Sequence, residues 1–167
     1  MAAEETVWRG TSSQWKNFGR YLVCALLCAV IIALFLFVSK VSSPELSRFA
    51  PFILLFLVAP IFMALSRYLQ TKSKTYELTS ERLKTTQGVF NKVTETLELY
   101  RVKDLETRQP FLYRLAGLEN VQLNTSDAST PVILIEAVPS NTHLADKIRN
   151  QVETVRAQKG VREIDME

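Results

Sequence analysis

The 167-residue sequence is poor in the side chains that most often carry chemistry: it holds one histidine, two cysteines and five glycines. Gly10, Gly19, Gly88, Gly117 and Gly160 are scattered, so no glycine run can cradle a phosphate or form the turn of a dinucleotide-binding fingerprint. His143 is alone, and Cys24 and Cys28 both lie in a long apolar run. That excludes the common zinc ligand sets and the cysteine–histidine nucleophiles. No metal, no cofactor and no enzymatic activity are expected. An excess of charge is missing too. The formal net charge is +3, and from Ser66 onward fifteen basic residues stand against fourteen acidic ones. With no cationic surplus and no aromatic stacking platform, nucleic acid is not an expected partner.

Two stretches lack charge altogether, Tyr21–Val38 (YLVCALLCAVIIALFLFV) and Phe49–Leu65 (FAPFILLFLVAPIFMAL). At about 1.5 Å rise per residue each spans most of a hydrocarbon core about 30 Å thick. Neither has the polar face of a buried soluble helix. A signal peptide does not fit the first: its apolar run is too long and no small-residue cleavage pattern follows. Two transmembrane helices are expected, joined by the short loop Ser39–Arg48, where Pro44 and neighbouring serines suit a turn. Arg9, Lys16 and Arg20 precede the first span, and Arg67, Lys72, Lys74, Arg82 and Lys84 follow the second, whereas the loop holds only Lys40 and Arg48. That asymmetry places both termini in the cytoplasm. Trp15, Phe18, Tyr21 and Tyr68 suit the aromatic belts.

Cys24 and Cys28 read as small apolar residues. With Ala25, Ala29 and Ala33 they form a small-xxx-small series that lets helices approach closely, within the hairpin or toward a second copy of the chain. Pro60 removes the hydrogen bond to the Phe56 carbonyl and should distort the second helix. Neither span contains an ionisable residue, which argues against an ion or substrate pathway through this chain alone.

Beyond Leu65 the pattern changes to period two. Tyr76 and Leu78, then Leu83 and Thr85, then Val93, Glu95, Leu97 and Leu99, and later Val121, Leu123 and Thr125, alternate with polar neighbours. These read as half-buried antiparallel strands. Glu95 is out of place on the face of Val93 and Leu97, and marks either a rim or a different register of that strand. The run Val132–Val138 (VILIEAV) is apolar on both faces and reads as a central strand. Pro110–Gly117 reads as a short helix with proline at its start and glycine at its end. Leu144, Ile148, Val152 and Val155 form the stripe of a terminal amphipathic helix, capped by Asn141 or Thr142 and ended by Gly160, with His143 exposed in its first turn. The expected fold is an α+β membrane protein in which a two-helix transmembrane hairpin precedes an antiparallel β-barrel closed by that helix. The boundaries are 1–20 for an N-terminal segment, 21–69 for the hairpin, 72–160 for the soluble domain and 161–167 for an acidic tail.

Several motifs resemble a known family. Tyr76–Thr79 (YELT), Gly88 after the second strand, Val102–Asp104 (VKD) and Arg114–Gly117 (RLAG) are similar in order to the bacterial pleckstrin-homology-like domains of YdbS-type membrane proteins, over roughly residues 74–156. Ala116 stands where a bulkier apolar residue is more usual. The resemblance implies a pleckstrin-homology (PH) barrel and no particular activity. The expected function is a non-catalytic, membrane-anchored binding or scaffolding module whose partners are the bilayer, a membrane or cytoplasmic protein and a second copy of the chain. The competing expectation is an accessory subunit of a transport or envelope-stress complex, acting through its helices. Lys72, Lys74, Arg82, Lys84 and Lys92 are the candidate contacts to anionic lipid headgroups.

Overall fold

The structure is a computed structural model, and it describes residues 4–41 and 49–160. Most of the expected loop Ser39–Arg48 and the acidic tail lie outside the described residues. The chain forms two compact units: residues 17–69, and a second made of residues 1–16 together with 70–167.

In the first unit, helix α1 spans Phe18–Val41, and its partner runs as α2 (Ala50–Ile53), a 3-10 turn (Leu54–Leu57) and α3 (Val58–Lys72). Both arms are long and apolar enough to cross a membrane. Cys24 is buried, and Cys28, Ile31, Phe35 and Val38 are half-buried at spacings of four and three, one stripe of the helix. Cys24 and Cys28 share an open apolar cavity of about 520 Å³ with Pro60 and Ala64 of α3. Ala25 borders the same cavity, whereas Ala29 and Ala33 are exposed and outside it, so the small-residue series is only partly turned toward the second arm. The irregularity expected at Pro60 falls in the turn before it, where the Val58 N–H bonds to the Leu55 carbonyl in an i→i−3 pattern. With no N–H on Pro60 to hold the Phe56 carbonyl, that turn tightens.

Among the described residues the second unit contains seven strands. Strands β1 (Thr6–Thr11), β2 (Thr75–Thr79), β3 (Arg82–Gln87) and β4 (Val93–Glu98) make one antiparallel sheet in that order. Strands β5 (Val102–Arg108), β6 (Leu118–Thr125) and β7 (Val132–Pro139) make a second. Helix α4 (Phe111–Leu115) connects β5 to β6, and α5 (Leu144–Lys159) follows β7. Tyr76, Leu78, Leu83 and Leu97 from the first sheet meet Val121, Leu123, Ile133 and Ile135 from the second in one core. Leu144, Ile148, Val152 and Val155 of α5 are all buried, the expected stripe in its expected role.

Three expectations are corrected. The barrel is not closed: β4 and β5 turn a 3-10 corner at Leu99–Arg101 without pairing. Leu99 of that corner is buried in the core, and α5 packs along the corner and β5, so side chains seal the gap that a ladder would have closed. Strand β7, whose outward residues Val132 and Leu134 are exposed, lies at a sheet edge, and the central strand is β6. His143, in the left-handed region at φ 47, is itself the N-cap of α5 and makes no side-chain cap bond. Strand β1 was not anticipated at all.

Its sequence, TVWRGT, places Trp8 opposite Leu78 and Arg9 opposite Glu77. The indole packs against the core and also lies over Gly10, where a Cβ would overlap the ring. Trp8→Ala should therefore destabilise the protein by about 2 kcal/mol, below the range for a fully buried tryptophan because the ring is half-exposed. Gly10→Ala should also destabilise it by displacing the same ring. Denaturant unfolding of the detergent-solubilised chain measures both, and wild-type stability of the Trp8→Ala variant would refute the packing role of β1.

Candidate functional site

Three segments converge on β7: the residues after β1, the residues that begin β2, and a bulge within β7 itself. Val121 pairs with Ile135 and Glu119 with Val138, so Glu136 and Ala137 together face Asn120. This two-against-one arrangement is a β-bulge. Ala137 adopts φ 52, its N–H is held by Asn120 Oδ1 at 2.8 Å, and its carbonyl accepts the Ser13 N–H at 2.9 Å. The bulge buries two consecutive residues, Ala137 and Val138, and turns Glu136 out of the core.

Glu136 Oε2 lies 3.1 Å from Lys16 Nζ and 3.6 Å from Lys74 Nζ. Lys16 stands two residues before α1 begins, and Lys74 two residues after α3 ends. One carboxylate thus holds both points where the chain leaves and rejoins the domain. The buried Tyr76 hydroxyl completes the cluster. It accepts the Glu136 N–H at 3.3 Å and donates to the Leu134 carbonyl at 3.4 Å. Its one proton is then used, so Ser12 Oγ, 3.3 Å away, is the donor between those two hydroxyls. The Lys74 ammonium also lies 5.4 Å from the centre of the Tyr76 ring, within cation–π range. Burial alone would raise the Glu136 carboxyl pKa; the Lys16 hydrogen bond and the charges of Lys16 and Lys74 outweigh it and hold the group below the usual carboxylate range.

The sequence-predicted basic residues do not form one cluster. Lys74 belongs to the Glu136 site. Arg82 and Lys84 face outward from β3, where Glu4 Oε2 lies 3.9 Å from Arg82 Nη1 and 3.4 Å from Lys84 Nζ, and Glu98 Oε1 lies 3.6 Å from Arg82 Nε. The Thr79 hydroxyl donates to Glu4 at 2.6 Å; this bond, against a smaller effect of burial and with help from Lys84 and Arg82, lowers the Glu4 pKa. Lys72 is exposed at the end of α3, and Lys92 is exposed in the turn before β4. Arg82 begins β3, about 17 Å of strand from Gln87, so it lies at the end of the sheet away from Thr11 and Thr75. Glu95 and Val93 are both exposed: β4 runs beyond the core there, which accounts for a carboxylate on the inward-facing register.

Among the described residues no group of three or more His, Cys, Asp or Glu side chains is placed to hold a metal. The family model of the bacterial PH domain matches residues 18–158. The chain belongs to this family. The matched region takes in both apolar helices, strands β2 to β7 and nearly all of α5, and leaves out β1. No curated protein and no solved structure matches the chain. PH-like domains are typically binding modules without enzymatic activity, and commonly bind lipids or proteins.

Sequence reading of this PH domain overlooked Glu136, Lys16, Tyr76 and Ser12 as a set. One signal was available: Glu136 is the lone carboxylate in the run VILIEAV, and a carboxylate in such a run requires a cation or several donors. Which cations answer it depends on the crossing of β1 and β2 over β7. Glu136→Gln should destabilise the domain by about 1–2 kcal/mol at neutral pH, the loss of charge-assisted hydrogen bonds to half-buried lysines. Because the folded pKa is depressed, the wild-type advantage should be complete above the unfolded value of about 4.3 and fade as pH falls through the lower folded value. Unfolding free energies across an acid pH series check this, and a pH-independent difference would refute it.

Proposed function

We propose that this PH domain is a non-catalytic binding or scaffolding module anchored at the inner face of a bacterial cytoplasmic membrane by a two-helix hairpin, with both ends of the hairpin on the cytoplasmic side. One observation carries the reading: β1 precedes the first apolar helix, β2 follows the second, and the two pair from Thr6↔Thr79 to Thr11↔Thr75. Strands in one sheet occupy one compartment, so a chain with two spans between them must cross and return. The flanking charge, eight basic residues against two in the loop, independently favours the cytoplasm for that compartment. Lys72 and Lys92, both exposed, are proposed to meet anionic headgroups. Arg82, at the end of β3 away from Gln87, would contribute less.

A second reading, an accessory subunit acting through its helices, is favoured by the exposed face of α1 that carries Ala29 and Ala33. That face would admit another helix at close range, from a second copy or from a membrane partner. Ala29→Leu with Ala33→Leu should abolish such association, read as the loss of cross-linked or co-purified species from a native-like bilayer. A strictly monomeric wild type would remove the second reading.

For the anchored module, a reporter active only outside the cytoplasm should be silent when fused after Glu167 and active when inserted at Ser43. Activity at Glu167 with silence at Ser43 would reverse the assigned orientation. Activity at only one terminus, with a second fusion placed before Met1, would refute the even number of crossings.

A further inference from the structure

We propose that the PH domain is seated in the boundary between lipid headgroups and acyl chains by two apolar prongs, Phe90 on the β3–β4 turn and the exposed face of α4. The proposal rests on the membrane-anchored reading above. It concerns the end of the domain from which the chain departs after Lys16 and to which it returns at Gln70.

Strand register identifies that end. Thr11 pairs with Thr75, and Thr75 with Thr86. Gln87 then pairs with Val93, so residues 88–92 form a turn that extends past the level at which the chain leaves. Gly88, at φ +115, makes this turn possible, since a Cβ there would overlap the Asn91 carbonyl. At its tip Phe90 is 97% exposed, with Lys92 two residues away. Helix α4 lies at the same end by a separate route. Its following Gly117 carbonyl accepts the Ser140 N–H at 2.9 Å, and Leu118 pairs with Pro139. Those partners adjoin the stretch of β7 whose Ala137 and Glu136 hold Ser13, Lys16 and Lys74. At about 100° per residue, Phe111, Leu115 and Leu112 fall within roughly one quarter to one third of the circumference. All three are exposed, Phe111 at 74% and Leu115 at 71%, while Tyr113 on the other side is half-buried.

The opposite end of the domain is different. Its β2–β3 turn is Ser80–Glu81 and its β6–β7 turn is Ser126–Pro131 (SDASTP), and the large apolar side chains exposed there are the valines Val7 and Val132. An exposed phenylalanine at a turn tip and an exposed Phe–Leu–Leu helix face gather at one end of a small domain, the kind of apolar surface that marks an interaction site. Lipid is the occupant assigned because no linker intervenes: α1 begins at Phe18, two residues from Lys16, and α3 runs unbroken to Lys72. The chain's own apolar helices therefore hold this end within reach of the interface, where amphipathic faces of this kind bury themselves.

The test uses the full chain reconstituted in vesicles containing anionic lipid, with Cys24→Ala and Cys28→Ala as background. A polarity-sensitive fluorophore is attached in turn to Phe90→Cys, Leu115→Cys, Ala128→Cys at the opposite end, and Leu26→Cys within α1. Phe90→Cys and Leu115→Cys should be quenched several-fold more strongly than Ala128→Cys by lipid carrying a shallow spin label, and should be shielded from aqueous iodide. Leu26→Cys should be quenched by a deep spin label. If positions 90 and 115 are as open to iodide as position 128 while position 26 is deep, the prongs are refuted and the anchor stands. If position 26 is not reached by the deep quencher, the anchored reading fails and the proposal falls with it. Shielding of positions 90 and 115 from both quenchers would mean a protein surface covers them, a second copy included, and would overturn lipid as the occupant.

Discussion

The pairing of β1 with β2 is the constraint on which the rest of the architecture depends. Thr11 and Thr75 are neighbours across an antiparallel ladder, yet the entire apolar hairpin separates them in sequence. Closing so long a loop costs conformational entropy, although the cost rises only slowly with length. The ladder and the burial of Trp8 against the core offset it. Without β1, strand β2 would be the edge of its sheet and would present an unpaired backbone. The folded domain is therefore assembled from both sides of the hairpin, and neither flank is a tail.

Glu136 fastens the same junction a second time, by electrostatics rather than by a ladder. The ion pairs on the outer face of the first sheet, Arg82 and Lys84 with Glu4, join side chains that are roughly a third exposed or more at their basic ends, and such pairs contribute little. Lys16 and Lys74 are more deeply buried, at 17% and 19% side-chain exposure, and they share a carboxylate fixed by a bulge. Removing that carboxylate would leave two partly desolvated cations without their acceptor, which is why this cluster matters more than the number of surface pairs. The bulge carries an unfavourable left-handed alanine. Its return is the aim of one side chain and the capture of the Ser13 N–H.

The two ends of the domain also differ in the solvent they are suited to. Serine, aspartate and proline turns close one end, whereas aromatic and leucine side chains project from the other. The difference follows from strand direction: β2 begins where α3 stops, so β3 must run back and deliver its turn to the same side. A basic residue placed early in β3, as Arg82 is, is carried to the opposite side by the same geometry.

Local pattern in the sequence was enough for the elements that answer to a single period. The two uncharged runs, the period-two strands, the Pro110–Gly117 turn of helix and the four-residue stripe of α5 each depend on which face of one segment meets apolar surroundings, and that is written in the segment. Family membership was legible for the same reason, through motifs at β2, Gly88, Val102–Asp104 and Arg114–Gly117. What pairs with what was not. Six residues at the N-terminus join a sheet whose other strands lie beyond the hairpin; the run VILIEAV sits at an edge because its neighbours leave it there. The open corner at Leu99–Arg101 is sealed by a helix, and Glu136 finds its lysines across three segments. Those outcomes are set by the simultaneous packing of distant parts, which fixes register, edges and charge partners. A segment's own periodicity carries no information about them.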